Sequence, residues 1–140
     1  MKSKQNIKIL LEKTIHALNN DEPCILPTDT FYALSVRANS SLAVKRLFEI
    51  KKRDLNKPVP ILISSLNDIS NYCDTSSETL QKLANKFWPG PLTIVLPLQG
   101  GIPKEINNDS GFLGVRVPDH SFAVDLIKDL GQPITGTSAN

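Results

Sequence analysis

The sequence predicts a single-domain α/β protein with a twisted, mixed sheet and flanking helices. Segments with helical periodicity alternate with short apolar runs of strand length, an order typical of this class. Some strand candidates follow each other with no helix between them, so the sheet is expected to be mixed. The chain has 140 residues, the size of one domain, and it contains no internal repeat and no Pro/Gly/Ser-rich linker.

The first half of the chain predicts two helices and two strands. Apolar residues recur at helical spacing over residues 7–19. A second helix is expected from a cap at Ser40 or Ser41 into Lys51, Lys52 and Arg53. The strands are expected at the apolar residues 24–26, which Pro27 follows, and at residues 61–63.

The second half predicts two more helices and three strands. Thr75 and Glu78 are spaced as in a capping box, and the helix after them must end at the Trp-Pro-Gly-Pro corner of residues 88–91. Asp119 can cap the last helix, and Gly131 suits the position just after its end. The strands are expected at residues 92–96, 113–117 and 134–135.

Composition and charge exclude several function classes. The net charge is only +2, which argues against a protein whose main task is to coat nucleic acid but permits a local basic cleft. The sequence has no run of about 18 apolar residues, so we expect no membrane span. Cys24 and Cys73 form neither a disulfide framework nor a zinc motif, and the first eight residues lack the apolar stretch of a secretory signal. A cytoplasmic location is therefore expected.

Four polar clusters follow apolar elements, where α/β proteins commonly bind ligands. They are residues 28–32, residues 51–53 with Lys57, Arg116, and residues 137–140. Lys and Arg stabilise phosphate charge, and hydroxyl and amide groups donate to phosphate or carboxylate oxygens. Arg116, at a strand end, suits a bidentate grip on a carboxylate. The set predicts a concave cationic face that holds two anionic partners, one of them a nucleotide.

Each cluster alone also has a purely structural interpretation. Lys51, Lys52 and Arg53 can be a solvated helix end that complements the helix dipole. Residues 28–30 can be a turn or a helix cap, residues 136–138 a loop, and Arg116 an outward-facing strand residue. The sequence has no G-x-x-x-x-G-K-[ST] loop, no G-x-G-x-x-G loop and no nucleophile elbow. Asp29 and Asp109 do not form a metal cluster by spacing, so no protein-held metal is expected.

The clusters also form an ordered set of five motifs that resembles the YrdC-like family. Residues 27–32 (P-T-D-T-F-Y) resemble its P-T-[DE]-T-x-Y opening, and Lys51-x-Arg53 with Lys57-Pro58 resembles its K-x-R-x-x-x-[KN]-P segment. Residues 88–93 match its W-P-G-P-L-T, residues 115–118 resemble its V-R-x-P, and residues 138–140 its S-A-N. Most of these motifs are weak singly, but the ordered set is highly specific and spans the chain from about residue 24 to its end.

The resemblance implies an L-threonylcarbamoyladenylate (threonylcarbamoyl-AMP) synthase, an ATP-using nucleotidyltransferase. Members of the family join L-threonine, bicarbonate and ATP and release pyrophosphate. Their product feeds the N6-threonylcarbamoyl modification of adenosine 37 in tRNA. The resemblance further implies Mg²⁺ accompanying the ATP and a downstream tRNA-modifying complex as partner, with room for a weak contact to RNA.

The same resemblance assigns roles to individual residues. Thr30 and Arg116 would bind L-threonine, Arg116 through the substrate carboxylate. Lys51 and Arg53 would act in catalysis, because cations stabilise the transferring phosphoryl group and the leaving pyrophosphate. The residues that would contact ATP are Arg53, Lys57, Ser138 and Asn140.

Two positions and the length depart from the family pattern. Ala33 replaces the glycine of the family's Y-G-L, and Leu62 stands where many members have a histidine near the threonine pocket. Domains of the family usually continue beyond S-A-N, so residues 1–140 are expected to form a YrdC-like domain without the usual C-terminal part. These departures support an alternative, a non-catalytic module of the same fold that binds nucleotide or RNA.

Overall fold

The computed structural model describes residues 3–52 and 57–139, and over that range helices and short strands alternate. The α-helices are α1 (Lys4–Asn19), α2 (Ser41–Lys51), α3 (Glu78–Phe87) and α4 (Ser121–Leu130). The strands are β1 (Cys24–Pro27), β2 (Tyr32–Ser35), β3 (Ile61–Leu62), β4 (Ile94–Pro97), β5 (Phe112–Arg116), β6 (Ile134–Thr135) and β7 (Thr137–Ser138). Short 3₁₀ segments lie at Leu66–Ile69 and Lys104–Ile106. None of the helices in the described ranges is long and apolar enough to cross a membrane.

The α/β class and the mixed strand pairing expected from the sequence are confirmed, and the strands are divided between two sheets. One sheet has the order β1-β2-β7 and is antiparallel. The other has the order β4-β5-β3-β6, in which β3 and β5 are parallel and the other pairs are antiparallel. Strand β2 was not among the predicted strands, because three of its four residues are buried in succession and show no alternation.

Serine hydroxyls begin the first two helices. Ser3 Oγ accepts the backbone N–H of Asn6 at 3.2 Å, so α1 starts three residues before the predicted 7–19 helix. Ser40 Oγ accepts the backbone N–H of Ala43 at 3.2 Å, which confirms the predicted cap of α2. Gly131 follows α4 with a φ of 74°, a left-handed conformation that glycine adopts without strain, as predicted.

Two predicted helix caps are wrong. Ser77 rather than Thr75 caps α3, and its hydroxyl accepts the N–H of Leu80 at 3.3 Å. Residues 74–76 form a separate turn in which Asp74 accepts the N–H of Ser76, so the helix begins later. Asp119 does not cap α4, because the chain is still extended at His120, the residue that precedes the helix.

The two sheets are joined through residues 134–138. Strand β6 belongs to the four-stranded sheet and β7 to the three-stranded sheet, and Gly136 is the single residue between them. The buried Thr135 accepts the N–H of Val36 at its hydroxyl (3.0 Å) and donates its own N–H to the Val36 carbonyl (2.9 Å). These bonds fix the sheets against each other at the point where the chain passes from one to the other.

Two apolar clusters hold the elements together. The larger cluster packs α2 against the four-stranded sheet and includes Leu47, Ile61 and Val115. The smaller cluster packs α1 and α4 against β1 and β3 and includes Leu18, Leu26, Leu62, Leu126 and Ile134. Each fully buried side chain of this size contributes about 1.5–3 kcal/mol. Strands β3 and β5 are therefore held in place by these packed side chains. The site described below lies at the ends of these two strands.

An ion pair links the end of α1 to the segment after β2 and makes stability depend on pH. Asp21 has a φ of 60°, and its carboxylate accepts Arg37 Nη2 at 2.7 Å. This hydrogen bond from Arg37 is the main reason why the pKa of the Asp21 carboxyl lies below its ordinary value. A lowered folded-state pKa stabilises the fold above the unfolded-state pKa of about 3.9, and that stabilisation disappears as the pH falls through the folded value.

We expect Asp21→Asn to lower the free energy of unfolding by about 0.5–1 kcal/mol at pH 7, and the difference from wild type to shrink steadily below about pH 4. Asparagine tolerates a positive φ and keeps an acceptor, so the change tests the charge alone. Urea denaturation at several pH values measures the effect. Asp125→Asn, which alters an exposed carboxylate on α4, is the control. A difference of the same size at pH 7 and at pH 3 would contradict the assignment.

Candidate active site

One hydroxyl fixes the turn between β1 and β2. Thr28 Oγ1 donates to the carbonyl oxygen of Phe31 at 2.5 Å and accepts the N–H groups of Phe31 at 3.1 Å and of Thr30 at 3.3 Å. The backbone N–H of Thr28 donates to the same Phe31 carbonyl at 3.2 Å. Because both ends of the turn are tied to one side chain, Asp29, Thr30 and Phe31 have fixed positions relative to β1 and β2.

Arg116, the last residue of β5, is the centre of the site. Its Nε donates to the carbonyl oxygen of Gly90 at 2.9 Å, its Nη1 donates to the hydroxyl of Thr30 at 3.1 Å, and its Nη2 forms an ion pair with Asp29. The ring centroid of Phe31 lies 6.0 Å from the guanidinium carbon, within the range of a cation–π contact. The Arg116 side chain is only 6% exposed. A nearly dry guanidinium with these partners is held in one orientation.

The guanidinium lines a cavity of about 200 Å³. Its polar wall comes from Thr30, Thr93 and Arg116, and the rest of the wall is apolar: Phe31, Pro60, Leu62, Pro91 and Gly136. Arginine has five N–H donors, and the described residues accept three of them here. The hydroxyl of Thr30 accepts from Arg116, and its proton faces Thr28 Oγ1 at 3.4 Å, a long contact that a closer ligand oxygen can replace. These groups suit the carboxylate end of a small molecule.

Leu62 and Gly136 form the apolar floor of this cavity. Leu62 pairs with Arg116 in the sheet and is 1% exposed. The N–H of Gly136 donates to the carbonyl oxygen of Pro60 at 2.9 Å, which places the glycine backbone against β3. A Cβ atom at position 136 would lie 2.7 Å from Leu62 Cγ. A larger residue at position 136 would therefore force the Leu62 side chain or the backbone at residue 136 to move.

A second polar group lies two residues beyond Gly136. Lys51 Nζ donates to the carbonyl oxygen of Ser138 at 2.6 Å, and the N–H of Ala139 donates to the carbonyl oxygen of Tyr32 at 2.9 Å. Two residues of extended chain span at most about 7 Å between Cα atoms. The C-terminal end of α2 and its ammonium group therefore lie beside the segment that also lines the Arg116 cavity.

A wider apolar cavity adjoins the first one. It has a volume of about 360 Å³ and shares Pro60 and Thr93 with the Arg116 cavity. Val95 and Phe112 line it and are 64% and 52% exposed. Lys57 is exposed and precedes Pro58, another residue of this wall. The two adjoining cavities are together called the groove, which begins at Arg116 and continues over the apolar surface of Val95 and Phe112.

The structure brings the predicted site residues together in two groups. Thr30 contacts Arg116, and Lys51 contacts Ser138. Lys57 precedes Pro58, which lines the adjoining cavity, and the predicted residues Arg53 and Asn140 lie outside the described residues. Within residues 3–52 and 57–139, no three His, Cys, Asp or Glu side chains converge to hold a metal ion. The ligands and catalytic roles assigned to these residues stay predictions.

Sequence reasoning missed four contributors to the site. Asp29 was included in the polar cluster of residues 28–32 but was not predicted to pair with Arg116, although its place between Thr28 and Thr30 was a usable signal. Gly136 follows a buried strand, which can indicate a close backbone approach. The roles of Phe31 and of the Gly90 carbonyl carry no pattern in the sequence, because they depend on tertiary contacts with Arg116.

Residues 16–140 match the protein-family profile Sua5_yciO_yrdC, described as "Telomere recombination". The chain belongs to this family. It is 40% identical over 114 residues to the threonylcarbamoyl-AMP synthase of Pyrococcus abyssi, a match that covers 81% of this chain and 34% of that protein. It is 32% identical to the threonylcarbamoyl-AMP synthase of Enterobacter sp. (strain 638), with 93% of this chain and 70% of that protein covered.

The solved structure of P. abyssi Sua5 complexed with L-threonine has the same fold. The TM-score is 0.89 at 34% identity, and the match covers 100% of this chain and 40% of that chain. The chain thus spans 34% of the length of the archaeal relative and 36% of that of the Bacillus subtilis threonylcarbamoyl-AMP synthase. The fold that this chain shares with the family therefore corresponds to a part of the length of these relatives.

We expect Gly136→Ala to destabilise the protein by about 1–3 kcal/mol, because the new methyl group would overlap the buried Leu62. Urea denaturation measures the loss. Gly114→Ala is the matched control, since its Cβ would meet Thr93 Cγ2 at a milder 3.3 Å. Combining Gly136→Ala with Leu62→Ala is expected to cost less than the two single changes added together. Purely additive costs would show that the contact is not the cause.

Proposed function

We propose that this chain carries the substrate sites of an L-threonylcarbamoyladenylate synthase. Such a nucleotidyltransferase forms threonylcarbamoyl-AMP and pyrophosphate from L-threonine, bicarbonate and ATP. The observation that carries the proposal is the desolvated guanidinium of Arg116, fixed by Thr30 and Asp29 and left with donors at a small cavity. The similarity to a Sua5 structure in complex with L-threonine supports L-threonine as the substrate.

In this proposal the threonine carboxylate binds the remaining N–H donors of Arg116 and the hydroxyl proton of Thr30. Each hydrogen bond to a charged group contributes about 1.5–3 kcal/mol. The planar fork of the arginine donors also fixes the orientation of a carboxylate better than a point charge would. The substrate's methyl group packs on the apolar floor formed by Leu62 and Gly136. The amino group then faces the open groove, where the carbamate can form.

ATP would occupy the rest of the groove. Lys51, which contacts the Ser138 carbonyl, supplies positive charge for the phosphates. The family resemblance adds further ATP contacts from Arg53, Lys57, Ser138 and Asn140. The adjoining apolar cavity with Val95 and Phe112 offers the kind of surface on which a nucleobase packs. Mg²⁺ would be held by phosphate oxygens and water, which is its usual arrangement with nucleotides, and would neutralise part of their charge.

The chemistry proposed for the site has two steps. The threonine amine attacks the carbon of bicarbonate, and loss of water gives a carbamate. A carbamate oxygen then attacks the α-phosphorus of ATP, and the bond to the bridging oxygen of the β-phosphate breaks as pyrophosphate leaves. Bringing two anions together is unfavourable unless cations lie between them. Lys51 and Arg53 would stabilise the charge on the transferring group, and fixed positioning by Arg116 would lower the entropic barrier.

The product would be consumed by a tRNA-modifying complex that makes N6-threonylcarbamoyladenosine at position 37. A reducing cytoplasm is the compartment we propose for this activity, because Cys24 and Cys73 are both free thiols.

We expect the protein to release pyrophosphate from ATP only when both L-threonine and bicarbonate are present, and labelled bicarbonate to appear in the adenylate. A coupled pyrophosphate assay together with chromatography of the nucleotide products tests this. Omission of threonine is the internal control. Binding of ATP without any threonine-dependent pyrophosphate would instead identify a non-catalytic nucleotide-binding module.

Two arginine variants separate the two substrates. Arg116→Ala is expected to weaken L-threonine binding about 100-fold and to leave ATP affinity within about twofold, because it removes the charged partner of the carboxylate. Arg53→Ala is expected to do the reverse. Calorimetric titration with each ligand measures both constants, and Arg46→Ala, an exposed arginine on α2, is the control. Unchanged threonine affinity in Arg116→Ala would overturn the carboxylate assignment.

A further inference from the structure

The cavity around Arg116 carries no net charge, because Asp29 neutralises the guanidinium. The two side chains form an ion pair and are 6% and 16% exposed, so water screens neither of them well. The other residues of the cavity wall are hydroxyl, proline, aliphatic, aromatic or glycine residues, and none of them is ionisable. A ligand that enters the cavity therefore meets the positive guanidinium of Arg116 together with the negative carboxylate of Asp29 that is paired with it.

Asp29 itself is not part of the cavity wall. Its carboxylate holds Nη2 of Arg116, while the hydroxyl of Thr30 holds Nη1 and the carbonyl of Gly90 holds Nε. It therefore acts on a bound molecule through the orientation of the guanidinium and through its charge. In a weakly screened site, that charge acts over several ångströms.

We infer that Asp29 is a specificity-determining residue that makes this cavity select zwitterionic amino acids over simple carboxylates. The inference rests on the proposed function. A simple carboxylate adds a second negative charge next to Asp29 and is repelled by it. An α-amino acid brings an ammonium group one carbon away from its carboxylate, so its attraction to Asp29 offsets that repulsion.

The test compares two ligands that differ only in the ammonium group, L-threonine and (R)-3-hydroxybutyrate. Calorimetric titration at pH 7 and low salt gives both dissociation constants for wild type, Asp29→Asn and Asp29→Ser. Asparagine keeps an acceptor for Nη2 while removing the charge, and serine is a shorter neutral replacement. Asp129→Asn, an exposed carboxylate on α4, controls for the change in net charge. Thermal unfolding shows that each variant is folded.

We expect wild type to bind L-threonine at least about tenfold more tightly than (R)-3-hydroxybutyrate, and both neutral variants to reduce this preference about tenfold, chiefly by tightening the hydroxybutyrate complex. A purely structural role for Asp29 predicts an equal loss of affinity for both ligands, and that result would overturn the inference. So would a preference that stays within twofold of wild type. If wild type binds neither ligand, the proposed function itself fails, an outcome distinct from an unchanged preference.

Discussion

The buried guanidinium of Arg116 is the interaction on which the site depends. An arginine this desolvated is strongly unfavourable unless it is paired and hydrogen-bonded, and two separate segments of the described chain accept three of its five N–H groups. One is the turn of residues 28–31, which brings the Asp29 carboxylate and the Thr30 hydroxyl, and the other is the carbonyl of Gly90 after α3. The turn, the proline-rich corner and the end of β5 are thereby fixed relative to one another by a single side chain.

The same ion pair sets the charge that a ligand meets in the cavity. Asp29 balances Arg116, so the pocket is close to neutral overall. A neutral pocket suits a zwitterion better than a polyanion. If Arg116 were not balanced, a polyanion would compete for the amino-acid pocket.

Much of the fold could be predicted from the sequence because its signals are local. Serine at position 40 and glycine at position 131 act through the nearest helix turn, and helical periodicity reflects one face of one element. The predictions failed where neighbouring groups compete. Thr75 has the spacing of a cap, but the Asp74 turn takes the adjacent N–H, and β2 is buried on both faces, so it shows no alternation. The division into two sheets is likewise a property of tertiary pairing.

Part of the site could also be predicted, because some of its residues belong to local sequence motifs. Thr30, Lys51, Arg116 and Ser138 belong to recognisable motifs, and the structure places them in two contacting pairs. The partner that neutralises Arg116 was not recognised, because an acid in a turn is compatible with many roles and its selection depends on a residue 87 positions away. Spacing along the chain cannot encode a contact of that range.

Gly136 shapes how the cavity can change. The residue is both the only link between β6 and β7 and part of the cavity floor, and its backbone lies against Leu62. Since glycine is already the smallest residue, substitution at position 136 can only make the cavity smaller. Truncation of Leu62, the other residue of this floor, would enlarge the cavity. Substitution at position 136 would therefore favour slimmer amino acids, and truncation at position 62 would favour bulkier ones.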